Sequence, residues 1–283
     1  MEDFSPPPRR FAGIPVLGKL LNRRVPGHDN EKNMPLWEHL EELRWAIIKS
    51  LVVLFITTSV ALAFTEPIYD ILLIPLADFR DQIEITFAKP LDAFLIKMTL
   101  ALLGGIFLAL PFMLAFAWSF IAPGLTSRER KAVWLGVGWG VVFFACGVTF
   151  GYSLLPMCLK FLVAFGRPDV QQLWPLQVYI AFCFRLLLGF GIVFQLPVIL
   201  NILIRLDLVT VETLTKGRPY AVIIAFVIAA ILTPPDVFTQ VLMALPLLAL
   251  FEISLITGRW HKRKQADSED DDALPDYIEG DEP

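Results

Sequence analysis

Residues 93–120 read AFLIKMTLALLGGIFLALPFMLAFAWSF, and Lys97 is the only charged side chain in this run. A hydrocarbon core of about 30 Å is crossed by about 20 helical residues, so the run is long enough to span a membrane. Only helices and closed barrels satisfy all their backbone hydrogen bonds inside lipid. Because the run is continuously apolar rather than alternating, it predicts a transmembrane helix and not a barrel strand.

Five further apolar segments share this character. They lie at 45–65, 132–156, 186–204, 219–233 and 237–257. The last two are separated by Thr233-Pro234-Pro235-Asp236, in which the prolines end one helix and Asp236 can cap the next. Each then has about 16 residues before its polar end, roughly 24 Å of helix, which is short for a full crossing. Such a pair thins the bilayer locally or sits behind other helices.

Prolines inside the segments predict bent helices, because each removes a backbone donor. They are Pro111, Pro156, Pro197 and Pro246. We therefore predict an all-α membrane protein whose six transmembrane helices form a curved, cup-like wall rather than a tight bundle.

The ends of the chain differ from its apolar middle. Overall, 56% of the residues are hydrophobic and 18% are charged, whereas soluble domains are roughly a quarter charged. The predicted organisation is a flexible N-terminal extension over 1–34, a membrane domain over 35–258 and a disordered acidic tail over 259–283. The extension lacks the apolar region of a cleavable signal.

Lysine and arginine are unevenly distributed between the two sides of this topology. Most of them precede the first segment, follow the last one, or lie in the 121–131 and 205–218 loops, which share one side. Cytoplasmic loops carry an excess of these residues. The sequence therefore predicts a multi-pass protein of the cytoplasmic (inner) membrane with both termini in the cytoplasm.

Three carboxylates precede the first segment within two helical turns, at Glu38, Glu41 and Glu42. They repel one another unless a cation joins them, and the lower dielectric near a membrane strengthens such a pairing. The cluster is therefore a candidate site for a basic ligand. The same pattern also fits a solvated helix face on which Arg44 is the partner, and the stretch alone leaves both interpretations open.

Other polar side chains lie near the predicted loops or at membrane depth. Glu129 fits a capping box with Thr126, although an exposed capping carboxylate can still meet a cation. Gln195 and Glu252 lie within segments, where polar and ionisable groups are functional candidates. Glu252 could instead pair with a basic loop residue. Gln240 and Thr233 could bind a partner helix through hydrogen bonds across the lipid.

No enzyme motif or metal site is apparent. The chain lacks HExxH, P-loop and GxSxG patterns, and its three cysteines show no metal-ligand spacing. They suit apolar packing, with a Cys158–Cys183 disulfide left open. We predict neither an enzyme nor a cofactor. A small-solute secondary transporter, which would need a midplane pocket between paired halves, is the alternative function.

Several short blocks carry a family resemblance. They are His39-Leu40-Glu41-Glu42-Leu43-Arg44, Phe120-Ile121-Ala122-Pro123-Gly124-Leu125 with Glu129-Arg130, Phe194-Gln195-Leu196-Pro197, Arg218-Pro219-Tyr220, Leu232-Thr233-Pro234-Pro235-Asp236-Val237-Phe238-Thr239-Gln240, and Phe251-Glu252. In this order and spacing, over about 36–258, the chain resembles the TatC family of Sec-independent protein translocases.

The resemblance implies a subunit that recognises the twin-arginine signal peptides of folded proteins. It would export these proteins with the single-span partners TatA and TatB, driven by the proton-motive force. In the family, carboxylates matching Glu42 and Glu129 contact the two arginines. We expect Glu41, Arg44 and Phe120 to belong to the same signal-peptide site, and several copies of the chain to share one translocase complex.

The resemblance also implies that partner helices dock at Thr233 and Gln240. Structural or functional roles are expected for four further residues, namely Pro75, Asp236, Glu252 and Arg218. Many family members carry glutamate where this chain has Gln195. A proton-linked role is therefore not expected at that position, whereas polar docking of a partner helix there stays open.

Overall fold

The computed structural model describes residues 36–121, 129–166, 172–205, 208–233 and 237–272. Most of these residues are helical, as predicted. The helices are α1 Leu36–Ala61, α2 Thr65–Leu73, α3 Asp92–Ile121, α4 Glu129–Ala164, α5 Leu176–Val193, α6 Leu196–Arg205, α7 Val211–Lys216, α8 Arg218–Leu232 and α9 Val237–Asp272, with 3-10 segments at Leu62–Phe64 and Ile74–Phe79.

Five helical segments in the described part of the chain are long and apolar enough to cross a membrane. They are Leu40–Phe79, Asp92–Phe120, Gly136–Ala164, Leu176–Ile204 and Val237–Trp260. The helix α8 is also apolar but has only 15 residues, so the fifth predicted segment is short as expected. The predicted shortness of the sixth segment is wrong, because α9 runs without a break through Glu252.

The end of α9 also differs from the prediction of a disordered tail from residue 259, since the helix continues to Asp272. No glycine or proline lies between Gly258 and Pro275, and the lysines, arginines, glutamine and alanine of this stretch are good helix formers. The predicted N-terminal extension over 1–34 and the last residues, 273–283, lie outside the described part of the chain.

A two-stranded parallel sheet departs from the all-α prediction. Strand β1, Ile83–Thr86, pairs with β2, Gln172–Pro175. The first strand reads Ile-Glu-Ile-Thr, in which β-branched residues alternate with a polar one, and this pattern favours extended backbone. A strand of four residues is too short to be recognised by hydropathy beside the long apolar segments, so it was not predicted.

The helices α1 and α3 pack closely along their length and antiparallel to each other. A side chain at Gly105 would place its Cβ only 2.6 Å from the Cα of Thr58, so glycine is required for this approach. The hydroxyl of Thr57 donates to the Gly105 carbonyl at 2.9 Å. This contact fixes which residues face one another at the two ends of the helix pair.

The helix α5 lies in the middle of the main core. Its buried residues Leu186 and Phe190 are fully covered, and the ring of Phe190 packs edge-on against Phe150 of α4. A Cβ at Gly147 of α4 would fall 2.6 Å from the Phe190 carbonyl, so the small residues of α4 serve close helix packing. The core therefore sits among α3, α4, α5 and the α8–α9 hairpin.

Candidate functional site

A charged groove lies at the start of α1 and the end of α3. It has a volume of about 490 Å³. It is lined by Glu41, Glu42, Trp45, Ala46, Lys49, Ser119 and Phe120. The first five residues share one face of α1, because they recur at the three- and four-residue spacing of a helix. The antiparallel packing of α1 on α3 brings Ser119 and Phe120 to the opposite wall.

The two carboxylates of this groove are adjacent in sequence but differ in exposure. The side chain of Glu42 is half-buried, whereas Glu41 is exposed. Phe120, half-buried on the other wall, shares the groove with them, so three residues predicted as a site do meet in space. The exposed Arg44 lies on the same helix but does not line this groove.

Aromatic surface separates the acidic end of the groove from its lysine. The indole of Trp45 is 50% exposed, which leaves a flat face available to a planar cation. The exposed Ser119 donates its hydroxyl hydrogen to the carbonyl of Phe116, one turn earlier on α3, at 2.8 Å. The groove therefore combines negative charge, aromatic faces and one ammonium group.

Trp45, Lys49 and Ser119 were not among the residues predicted for a site. The signal for the first two was present, since Glu42, Trp45 and Lys49 lie at i, i+3 and i+7 on one helical face. Ser119 and the wall of α3 carry no such local signal, because only tertiary packing brings them to α1.

Glu129 is the first residue of α4, and its side chain lies outside what the structure describes. Thr126 of the predicted capping box and Asp236 of the predicted helix cap also lie outside the described residues. These three predictions therefore stay predictions.

The carboxylate of Glu252 pairs with the guanidinium of Arg218. The Nη2 atom of Arg218 lies 2.7 Å from Oε2 of Glu252, and both side chains are 45% exposed. This pair joins the first residue of α8 to the middle of α9, and it offsets the cost of a charge within an apolar helix. Of the two interpretations left open for Glu252, the structure supports pairing with a basic residue, although Arg218 begins α8 and does not lie in a loop.

The polar side chains of the α8–α9 hairpin bond to backbone carbonyls of α8. The buried hydroxyl of Thr233 donates to Ala229 at 2.9 Å, and the amide of Gln240 donates to Phe226 at 3.1 Å. Gln195 is buried elsewhere, in the turn between α5 and α6, and its amide donates to the carbonyl of Gly140 at 2.9 Å. Gln195 thus bonds to α4, whereas Thr233 and Gln240 bond to α8.

Pro75 is buried where α2 gives way to a 3-10 segment. The N–H that proline lacks would bond to the carbonyl of Ile71 in an α-helix and to that of Leu72 in a 3-10 helix. Two tyrosines donate to these same carbonyls: the hydroxyl of Tyr152 lies 2.8 Å from the Ile71 oxygen, and Tyr179 bonds to Leu72. Side chains of α4 and α5 thus replace the donor lost at the proline.

An apolar cavity of about 600 Å³ lies beside this segment. Its walls come from α1, α2, α3, α4 and α5, with Ala61, Leu72, Leu103, Val148 and Leu187 among the lining residues. Ala61 lies twelve residues beyond Lys49, so the cavity is about 18 Å further along α1 than the charged groove.

Within the described ranges, no cluster of three histidine, cysteine, aspartate or glutamate side chains could hold a metal ion. Cys158 and Cys183 are buried in the core and are not joined by a disulfide, which closes the alternative left open by the sequence.

The described segments and the groove define a class of protein: a multi-pass helical membrane protein with a mixed acidic and aromatic groove at one end of two long helices. The family model for the Sec-independent protein translocase protein (TatC) matches residues 38–246. The chain belongs to the TatC family, as the sequence resemblance predicted. It is therefore a component of a protein translocase and not an enzyme.

Individual relatives agree with this assignment. The TatC protein of Desulforapulum autotrophicum is 37% identical over 85% of this chain and 90% of its own length. That of Aquifex aeolicus is 37% identical over 82% of this chain and 98% of its own length. A crystal structure of the twin-arginine translocase receptor TatC in DDM is 36% identical, with a TM-score of 0.73 over 78% of this chain and 99% of the solved one.

Proposed function

We propose that this protein recognises the twin-arginine signal peptides of folded proteins and, with TatA- and TatB-type partners, mediates their export. The observation that carries the proposal is the groove in which Glu41 and Glu42 face Phe120. The solved relative is described as a twin-arginine translocase receptor, which supports a receptor role for the matching surface here.

Guanidinium chemistry suits this groove. Each guanidinium is planar and presents a rigid fork of donors that matches a carboxylate, whereas an ammonium group is a compact point charge. A guanidinium can also stack on the exposed face of Trp45. A hydrogen bond between charged groups contributes roughly 1.5–3 kcal/mol. Two adjacent arginines are therefore held more firmly by Glu41 and Glu42 than two lysines would be.

The apolar cavity near Ala61 can bind the apolar stretch that follows the arginine pair of a signal peptide. Its lining is almost entirely hydrocarbon, and burial of apolar surface contributes roughly 25 cal/mol per Å². An apolar stretch that leaves the groove along α1 reaches this cavity after about 18 Å, which is about 12 residues of helix or five to six of extended chain.

We propose that the chain crosses the cytoplasmic (inner) membrane six times and that its helices form a curved, cup-like wall. Both termini would then lie in the cytoplasm. The five long apolar segments support it, together with α8 as a sixth and short crossing. The excess of lysine and arginine on the side of both termini supports the orientation. Fifteen residues give α8 a length of about 22 Å, so the bilayer would thin beside it.

The single-span partners are proposed to dock at the outer ends of α8 and α9. Gln240 uses one amide hydrogen on Phe226, which leaves a second hydrogen and the carbonyl oxygen for a partner helix. Thr233 keeps acceptor capacity on its hydroxyl oxygen in the same way. We propose that several copies assemble in one complex and that the proton-motive force drives transport. Gln195 does not titrate, so it takes no proton in this scheme.

The test is capture of a twin-arginine signal peptide by the full-length protein in detergent. Glu42→Ala is expected to weaken binding roughly 10- to 100-fold, since one charged hydrogen bond is lost. Adding Glu129→Ala tests the second carboxylate that the family resemblance implies. Glu84→Ala is the matched control, because it also removes a carboxylate but lies in β1, outside the groove. This variant should bind the peptide like wild type. Unchanged capture by the Glu42→Ala, Glu129→Ala double variant would reject the proposed site.

A further inference from the structure

Lys49 lines the same groove as Glu41 and Glu42 but has the opposite charge. It follows Glu42 by seven residues on α1, so it lies about 10 Å further along the helix and deeper in the apolar segment. The residue is exposed, and within the ranges that the structure describes it forms no ion pair. The groove is therefore acidic at its mouth and basic at its inner end.

An ammonium group carries three donors and no acceptor, and it is costly in an apolar segment unless acceptors surround it. The adjacent lining of Trp45, Ala46 and Phe120 offers Lys49 no side-chain acceptor. The Ser119 hydroxyl, which donates to Phe116, could accept, but among the described residues it forms no hydrogen bond with Lys49. An acceptor supplied by a bound ligand would therefore be favoured at this position, and a cation would be repelled.

We propose that Lys49 is a specificity-determining residue of the groove: it binds a hydrogen-bond acceptor of the signal peptide on the membrane side of the arginine pair and disfavours a positive charge there. This inference rests on the proposed function, because it takes the arginine pair to lie at Glu41 and Glu42. It adds a second, oppositely charged subsite to the groove.

The distance between Glu42 and Lys49 along α1 determines which residue of the peptide lies next to Lys49. An extended chain advances about 3.3 Å per residue, so the 10 Å between Glu42 and Lys49 correspond to about three residues. The third residue after the arginine pair is therefore the one whose charge should matter most. Residues eight or more positions beyond the pair lie outside the reach of the ammonium group.

The experiment measures the affinity of full-length protein in detergent for three signal peptides that differ only at the third residue after the arginine pair: Glu, Ser or Lys. A parallel set carries the same three residues at the eighth position. The proteins are wild type, Lys49→Met, Lys49→Glu and Glu42→Gln. Lys49 is exposed, so its variants are expected to fold, and a thermal melt of each checks this.

For wild type we expect the Glu peptide to bind best and the Lys peptide worst, with roughly three- to tenfold between them, as for an exposed charge that attracts one residue and repels the other. Lys49→Met should remove the difference and Lys49→Glu should reverse it, while the eighth-position set shows no order. An unchanged order in Lys49→Glu, or the same order in the eighth-position set, would overturn the inference. It would also be overturned if Lys49→Met strengthened all peptides equally, since Lys49 would then only repel the arginines.

Glu42→Gln separates this inference from the proposed function. If both are correct, it weakens every twin-arginine peptide while the order at the third position persists. If Glu42→Gln leaves all affinities unchanged, the arginine site itself is rejected, and with it the spacing from which the position was deduced. Loss with Glu42→Gln and no dependence on Lys49 rejects the inference alone.

Discussion

The tyrosines at Pro75 give a sharp test of how this fold is held together. Tyr179→Phe removes a hydroxyl that donates to a buried carbonyl, and both Tyr179 and Leu72 are less than 5% exposed. A buried acceptor that loses its donor costs about 1–3 kcal/mol. Tyr152→Phe removes the donor to Ile71, which is more exposed and also accepts the N–H of Ile74, so we expect only about 0.5–1 kcal/mol.

Thermal unfolding in detergent measures these effects. For a chain of this size, 1 kcal/mol corresponds to about 2–4 °C in Tm, so Tyr179→Phe should melt several degrees below wild type and Tyr152→Phe about one to four degrees below. Tyr69→Phe is the matched control. Tyr69 lies on α2, close to Pro75 in sequence, but its hydroxyl makes no hydrogen bond to any described residue. It should melt like wild type.

Pro75→Ala makes the test specific to the proline. It restores a backbone N–H next to the carbonyls of Ile71 and Leu72, so the tyrosine hydroxyls become less necessary. Each Tyr→Phe substitution should therefore cost less in the Pro75→Ala protein than in wild type, by about 0.5 kcal/mol or more. Purely additive effects in this double-mutant cycle would refute the idea that the tyrosines replace the missing donor.

Three further perturbations follow from the contacts described above. Arg218→Ala should destabilise by about 1 kcal/mol and more than Glu252→Gln does, since it leaves a carboxylate unpaired within an apolar helix; both side chains are nearly half exposed, which keeps the effect small. Gln195→Leu should cost about 1 kcal/mol, because the buried carbonyl of Gly140 in α4 loses the amide that donates to it in addition to the helix backbone, and a Tm measurement checks both. Gly105→Ala should destabilise by about 1–3 kcal/mol through backbone collision, whereas Gly138→Ala, with open space around it, should be neutral or stabilising.

The apolar segments were predictable because their signal is local. Hydropathy along the chain places the long helices, and the Pro234-Pro235 pair indicates the end of α8. The predicted length of the last apolar segment was wrong, because a residue distant in sequence lowers the cost of a charge within the helix. Glu252 was expected to end the apolar part of α9, but Arg218, 34 residues away in sequence, neutralises it. The short strands β1 and β2 also stabilise each other only through pairing between distant residues.

The candidate site was predictable in part for the same reason. Glu41 and Glu42 stand out because adjacent carboxylates before an apolar run are unusual, and Phe120 was found only through the family resemblance. Lys49 shares a helical face with Glu42, but it was not among the residues predicted for the site. That this face is one wall of a groove depends on the packing of α1 against α3, which no local pattern gives. Thr233 and Gln240 were correctly placed near one hairpin, but their bonds to α8 carbonyls were not foreseen.

The glycine contact between α1 and α3 connects stability to peptide binding. The walls of the groove belong to different helices, Glu42 to α1 and Phe120 to α3, and the close approach at Gly105 holds those helices together about 22 Å from the groove. A larger residue at Gly105 forces the helices apart and so widens the groove without altering any of its side chains. Gly105→Ala should therefore weaken twin-arginine peptides, while Gly138→Ala binds like wild type. If Gly105→Ala lowers Tm but leaves peptide affinity intact, α1 alone forms the binding surface and the wall provided by α3 contributes nothing.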